Sequence, residues 1–399
     1  MSSRPVRRVM GRGTVYRRSN GSWAGEITLG GVRRTVYAGS QAACLAKLQV
    51  AQSQLAGGLP PVDQRTTLGQ YLTGWLQAVA PRLRPATFDR YKGIVTVQLI
   101  PELGGVKLAK LSPADVDLML ARLLGSGLSP RTVAHVRAVL RTALTDAEKR
   151  GQVARNVATL SDAPKVPYQP PRILSPEAAA GVLAAIEDPQ LRRMATLAVH
   201  TGLRQGELLG LRWQDVAWQT GELHVTQALQ RIDGESRLVE VKSRTSRRAL
   251  PLTPIALAAL TEERECQSEA RAAAGKRWRE QIVGMIFTSD LGRPRNGTTV
   301  THTFADALAG AGLAPMHWHH LRHAFAGLML ASGVDLGTVS ALLGHSSVSL
   351  TLSTYAGVAP SLKRQAAERL GLLLAQSATS RAPTIPEPAS KGSTLTRAV

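Results

Sequence analysis

Short runs in which apolar and polar residues alternate open the chain: Thr14–Arg17, Trp23–Leu29 and Val32–Tyr37. Between them stand the turn formers Ser19-Asn20-Gly21-Ser22 and Gly30-Gly31. A period of two broken by such turns predicts a three-stranded antiparallel meander. The period then changes to that of a helix over Ser40–Gln54, with Ala42, Leu45, Leu48 and Leu55 at helical spacing, and Gly57-Gly58-Leu59-Pro60-Pro61 closes the segment. Residues 1–60 therefore read as a small β-sheet plus helix module.

From 64 to 163 the pattern is helical throughout, with segments near 66–80, 85–98, 112–124 and 129–149. Ser112-Pro113 and Ser129-Pro130 mark two of the starts, since Ser caps the free N–H groups and Pro needs no partner in the first turn. Four prolines in Ala163–Pro171 make residues 164–171 a semi-rigid linker. From 172 to 375 helices (176–187, 189–201, 206–212) give way to strands (222–230, 237–242, 247–252) and then return, which predicts a mainly α (α+β) domain. After Gln376 the residues are mostly Ser, Ala, Thr, Pro and Gly, so 376–399 is expected to be a disordered tail. The fold class is thus multidomain: sheet plus helix, then an all-α domain, then a mainly α domain.

Charge narrows the partner. The 399 residues carry 49 Lys+Arg against 28 Asp+Glu, a net charge of +21, and 44% of them are hydrophobic, enough to build cores. Residues 1–60 alone hold nine basic residues and one acid. Such an excess attracts polyanions, and releasing the counterions of a nucleic acid favours binding. Arg131, Arg137 and Arg141 fall near one another on a predicted helix, as phosphate contacts would require. An anionic membrane is the rival partner. No run of about 18 apolar residues occurs, however, and Met1–Gly13, with Arg4, Arg7, Arg8 and Arg12, has no apolar signal core. No membrane partner is expected, and a cytoplasmic location is. Cys44 and Cys266 are the only cysteines, which excludes a disulfide framework and a cysteine zinc site.

Four stretches carry the chemistry. Thr201-Gly202-Leu203-Arg204-Gln205-Gly206-Glu207 joins two helical segments; His317-Trp318-His319-His320-Leu321-Arg322-His323 follows far downstream; then come Leu343-Gly344-His345 and Ser353-Thr354-Tyr355-Ala356. In this order and spacing they closely resemble the tyrosine recombinase (phage-type integrase) family, strongly over 172–375 and moderately over 64–163. The resemblance makes 64–163 a core-binding domain and 172–375 the catalytic domain, and residues 1–60 look like an arm-type DNA-binding domain. It implies site-specific cutting and rejoining of DNA through a 3′-phosphotyrosyl intermediate. Arg204 and Arg322 are then the phosphate clamp, Lys242 the general acid, His319 the base, His345 a hydrogen-bond donor to phosphate and Tyr355 the nucleophile.

These roles are physically sound. Charge developing on the non-bridging phosphate oxygens calls for fixed donors, and two guanidinium forks supply them without a metal ion or other cofactor. Glu207 fits an orienting partner of its neighbours better than a proton carrier. Of six tyrosines, Tyr355 alone lies beyond the linker, and Lys242 is the only lysine between Lys165 and Lys276. His319 and His323 stand at i and i+4 like zinc ligands, but no third ligand accompanies them, so no metal site is expected. His320 occupies a slot where the family often has Asp, which affects local packing or charge rather than catalysis.

The implied partners are double-stranded attachment-site DNA, three further copies of the chain in a tetramer, a host DNA-bending protein and an excision (directionality) factor. The amphipathic segment 361–374 either packs on its own domain or docks on a neighbouring protomer. The competing functions are a Xer-like resolvase, which normally lacks an arm domain, a type IB topoisomerase, and a catalytically silent DNA-binding regulator. The last would have lost one of Arg204, Arg322 or Tyr355.

Overall fold

Antiparallel strands β1 (Thr14–Arg17), β2 (Trp23–Leu29) and β3 (Val32–Ala38) pair in sequence order, and Val15, Gly25 and Val36 share a register row, as do Tyr16, Ala24 and Tyr37. Helix α1 (Gln41–Ala56) covers one face of this sheet through buried Cys44, Leu48 and Ala51. Tyr16 and Tyr37 remain largely exposed, with the Arg18 guanidinium 5.0 Å from the Tyr37 ring centroid. The computed structural model describes residues 13–29, 32–56, 64–167, 174–241 and 244–355, with a few positions between 368 and 375. It divides into two compact units, Met1–Tyr168 and Gln169–Val399.

The rest of the first unit is helical. Helix α2 (Leu68–Val79) starts in a capping box between Thr67 and Gln70, and α5 (Pro113–Gly125) and α6 (Pro130–Lys149) start at Ser112 and Ser129 with Pro in the first turn. The helix expected over 85–98 runs further. It passes from α3 (Pro85–Ile94) through a π turn (Val95–Leu99) into α4 (Ile100–Leu103), which starts beside Pro101, a residue with no N–H for a regular helical bond. The core seats Leu68, Leu72, Met119, Leu140 and Leu144. Tyr71 Oη donates to the carbonyl of Ala143 at 2.7 Å and Trp75 Nε1 to Asp146 at 2.8 Å, tying α2 to α6.

The second unit begins with α7 (Pro176–Ala184), α8 (Pro189–Thr201) and the short α9 (Gln205–Leu209). The single strand expected over 222–230 is two. After the two-residue β4 (Val216–Ala217), β5 (Glu222–Val225) pairs with β4 and β8 (Arg248–Pro251), while β6 (Gln227–Ile232) forms a hairpin with β7 (Glu235–Glu240). Asp233 and Gly234 make the hairpin turn with φ of 50° and 81°, the left-handed pair that an Asp-Gly turn provides. Helices α10 (Pro254–Ala274), α11 (Gly297–Gly310), α12 (His319–Ala331), α13 (Leu336–Leu343) and α14 (Val348–Tyr355) complete it around Met194, Leu197, Phe287, Phe304 and Leu321. No helix among the described residues is long and apolar enough to cross a membrane. The Gly30-Gly31 turn, the closure at 57–61, part of the linker, Lys242, most of 361–374 and the tail lie outside the described residues.

Candidate active site

Arg204 is placed by a turn that only glycine makes cheaply. Helix α8 ends on Gly202, whose φ of 63° is left-handed and whose added Cβ would stand 2.4 Å from Phe325. Two residues on, Arg204 sits at the start of α9, its backbone N–H donating to Glu207 Oε2 at 2.9 Å and its Nη1 to Oε1 at 2.7 Å. Glu207 is 2% exposed. It also accepts Nη2 of Arg248 at 3.0 Å, so its carboxylate is shared by two arginines. Burial works against its charge, but the Arg248 charge and hydrogen bond, with those of Arg204, outweigh burial and hold the carboxyl below its ordinary range.

These two arginines and Arg322 meet one helix end. Arg248 Nε donates to the carbonyl of Leu342 at 2.6 Å, Arg322 Nη2 to that of Leu343 at 2.7 Å, and Arg204 Nη2 to that of Gly344 at 3.2 Å. These are consecutive carbonyls at the C-terminus of α13, which lack intrahelical partners and carry the negative end of the helix dipole. Arg322 also donates from Nη1 to the carbonyl of Gly202 at 2.7 Å, so it joins the ends of α8 and α13. Gly344, with φ of 66°, lets the backbone come this close, since a Cβ would sit 3.0 Å from Arg248 Nη1. Burial, then the Arg204 charge, pull Arg322 down to about 9, which still leaves it cationic at neutral pH.

Four more side chains surround this knot. His345 follows Gly344, its Nδ1 2.7 Å from Thr351 Oγ1. His319 opens α12, and one turn later His323 meets it edge to face with centroids 4.9 Å apart. Tyr355, at the end of α14, places its hydroxyl 2.8 Å from His323 Nδ1. Burial first, then neighbouring positive charges, lower His319, His323 and His345 each to about 4, so all three imidazoles are neutral. Burial pushes Tyr355 up to about 12 against the pull of Arg322. A cleft of about 510 Å³ opens on this cluster, lined by Arg204, Glu207, Glu240, Ser246, His345 and Ser346.

Comparison with known proteins places this geometry. The phage integrase family matches residues 174–361, and the N-terminal SAM-like domain of phage integrases matches 67–123. An integrase of Streptomyces ambofaciens is 32% identical over 75% of this chain and 78% of its own length. The chain belongs to the tyrosine recombinases of the phage integrase family. It is a site-specific DNA recombinase, an enzyme that breaks and rejoins DNA strands. An integrase of Saccharopolyspora erythraea is 26% identical over 93% of this chain and 98% of its own. Among solved structures, the Tn1549 transposon integrase bound to transposon right end DNA shares the fold with a TM-score of 0.65 at 20% identity, over 76% of this chain and 99% of that one. A lambda integrase dimer bound to a COC′ core site does so with a TM-score of 0.55 at 20% identity, over 85% and 93%.

The recombinase thus gathers Arg204, Glu207, His319, Arg322, His345 and Tyr355 from four separate stretches of helix and loop. Lys242 follows the last residues of β7 but lies outside the described residues. On α6, Arg131 and Arg141 are exposed, whereas Arg137 is half-buried and donates to the carbonyl of Ser161, so it does not share a free face with them. Arg248 was not singled out in the sequence. It is one of three arginines in Arg244–Arg248, and nothing local distinguishes the one that turns inward. His323 was visible only as the tail of the His-x-x-Arg motif. Among the described residues no group of three or more His, Cys, Asp or Glu side chains is placed to hold a metal ion.

The shared carboxylate makes a stability prediction. Glu207→Ala leaves the Arg248 side chain, 7% exposed, with an unpaired buried charge, and should cost about 3–5 kcal/mol in urea unfolding at neutral pH. Because the folded carboxyl sits below its ordinary value, the contribution is present above that value and lost as pH falls through the folded one. The gap between variant and parent should therefore narrow only in acid below the usual carboxyl range. Equal stability at pH 7 would show that Arg248 is satisfied by the backbone carbonyls alone.

Proposed function

We propose that this recombinase is the integrase of a phage or other mobile element, cutting attachment-site DNA through a 3′-phosphotyrosyl bond to Tyr355. The observation that carries the reading is the convergence of two guanidinium groups, Arg204 and Arg322, and neutral His345 at the C-terminal end of α13, with the Arg322 charge acting on Tyr355, the one tyrosine of the second unit. Arg204, with its side chain 38% exposed, and Arg322 face the scissile phosphate and neutralise its non-bridging oxygens, each already aimed by carbonyl and carboxylate partners. His345, engaged at Nδ1 by Thr351, has Nε2 free to donate to the phosphate. Lys242 protonates the departing 5′-oxygen. The Tyr355 proton passes to a neutral histidine of the first turns of α12, where His319, the base by family resemblance, and His323 both stand.

Residues 1–60 form the arm-type DNA-binding module, 64–163 the core-binding domain with Arg131 and Arg141 toward phosphates, and 172–375 the catalytic domain. A Xer-like resolvase would share the chemistry; the strongly basic sheet module favours an element integrase. The enzyme works in the cytoplasm as a tetramer on DNA, as lambda integrase does in its tetramer on a Holliday junction, with a host DNA-bending protein and a directionality factor. No metal ion or organic cofactor enters the reaction. The test uses a duplex spanning the junction of the circularised element, nicked near the crossover so that cleavage is trapped. A protein–DNA adduct that survives a denaturing gel, with or without chelator, is expected. No adduct on that duplex would overturn the phosphotyrosyl reading.

A further inference from the structure

We propose that His323, and not His319, is the side chain that takes the proton of Tyr355 as the tyrosine attacks. The inference rests on the phosphotyrosyl reading above and deepens it at one atom.

The geometry is direct. Among the described residues the hydroxyl of Tyr355 makes its hydrogen bond to Nδ1 of His323, at 2.8 Å, within the range a proton-transfer pair requires. The pair is held from both sides. The tyrosine ring is 4% exposed and packs with Phe325, Ala326, Leu330, Val339 and Leu343, which fixes the direction of its hydroxyl. The His323 ring meets it at 65° with centroids 5.7 Å apart, and His319 packs edge-on against the His323 ring at 4.9 Å. His319 contacts the His323 ring, and burial, then the charges of His323, Arg322 and Arg204, act on it, whereas the Tyr355 hydroxyl makes its contact with His323.

The surroundings also set the protonation states. Burial keeps His323 neutral, helped by His320 and Arg322. It keeps Tyr355 in its phenol form too, so the resting pair holds one proton on oxygen and, in the Nε2-protonated tautomer of His323, an acceptor at Nδ1. In the forward step the Tyr355 oxygen uses an electron pair to bond phosphorus while the bond from phosphorus to the 5′-oxygen breaks. The phenol proton moves to His323 Nδ1, and the 5′-oxygen leaves with a proton from Lys242. In rejoining, the 5′-hydroxyl attacks, its proton returns to Lys242, and His323 returns its own to the Tyr355 oxygen. No oxidant or other co-reactant is needed. The imidazolium formed in between stands beside the phosphate whose negative charge has just developed.

A histidine that only orients the tyrosine would be replaceable by any hydrogen-bond acceptor of similar reach. His323→Asn supplies one, because its amide oxygen overlies Nδ1 yet cannot take a proton at neutral pH. His323→Ala removes the contact and leaves room for free imidazole. Adduct formation in a single turnover on the nicked junction duplex is the readout. Both variants should be slowed by at least about 10²-fold, the lower end for a lost general base, and excess imidazole should speed His323→Ala but not His323→Asn. His323→Asn reacting at the parent rate would overturn the proposal and leave His323 as an orienting residue. His323→Ala reacting as fast as the parent, or faster, would overturn it in the other way, making the contact a resting latch that opens before attack. An unreactive parent enzyme would instead overturn the phosphotyrosyl reading, and this step with it.

Discussion

Tyr355→Phe should bind the junction duplex with near-normal affinity and form no adduct. The change removes one oxygen from a ring that stays packed against Phe325 and Leu343, so the fold loses only a neutral hydrogen bond to His323, worth about 0.5–1.5 kcal/mol. The proposed reaction loses its nucleophile altogether. No other tyrosine lies between 169 and 399, so none within the second unit can substitute. Gel shift under native conditions and adduct formation under denaturing ones separate the two effects. A covalent adduct from the Phe variant would show that another residue attacks and would end the assignment of Tyr355.

Arg322→Lys should be the other severe lesion, because charge is kept and geometry lost. Arg322 is 2% exposed and reaches two carbonyls, of Gly202 and Leu343, through different Nη atoms, and the proposed reaction gives the rest of its donor fork to a phosphate. An ammonium on a flexible stem cannot span both carbonyls and also present a planar fork. Cleavage should fall by at least about 10²-fold, the scale for removing one preorganised donor in a transition state. Leaving a buried carbonyl unpaired should also cost about 1–3 kcal/mol in unfolding. Near-parent cleavage by a stably folded Lys variant would place the phosphate elsewhere, on Arg204 and His345.

Much of this was legible in the sequence because the signals are local. Alternation and turn residues over 14–38, Ser-Pro starts at 112 and 129, and helical spacing along α6 each act within a few residues, and the elements form where they predict. The strand expected over 222–230 failed for a non-local reason. Its two halves pair with different strands, β8 and β7, and that choice is made by partners the window does not contain.

The active site divides the same way. That the second unit has one tyrosine, two motif arginines in order and a single lysine between Lys165 and Lys276 is written in the chain itself, as is the charge of +21 that points to a polyanion. Residue identity, order and spacing are properties of one dimension. Only the tertiary structure decided that Arg204, Arg248 and Arg322 end on three consecutive carbonyls of α13, that Glu207 is shared between two of them, and that His323 is the imidazole touching Tyr355. These facts depend on how α8, α12, α13 and α14 pack. His319 and His323 are one helical turn apart, and sequence spacing alone cannot say which of the two a residue 32 positions downstream will meet.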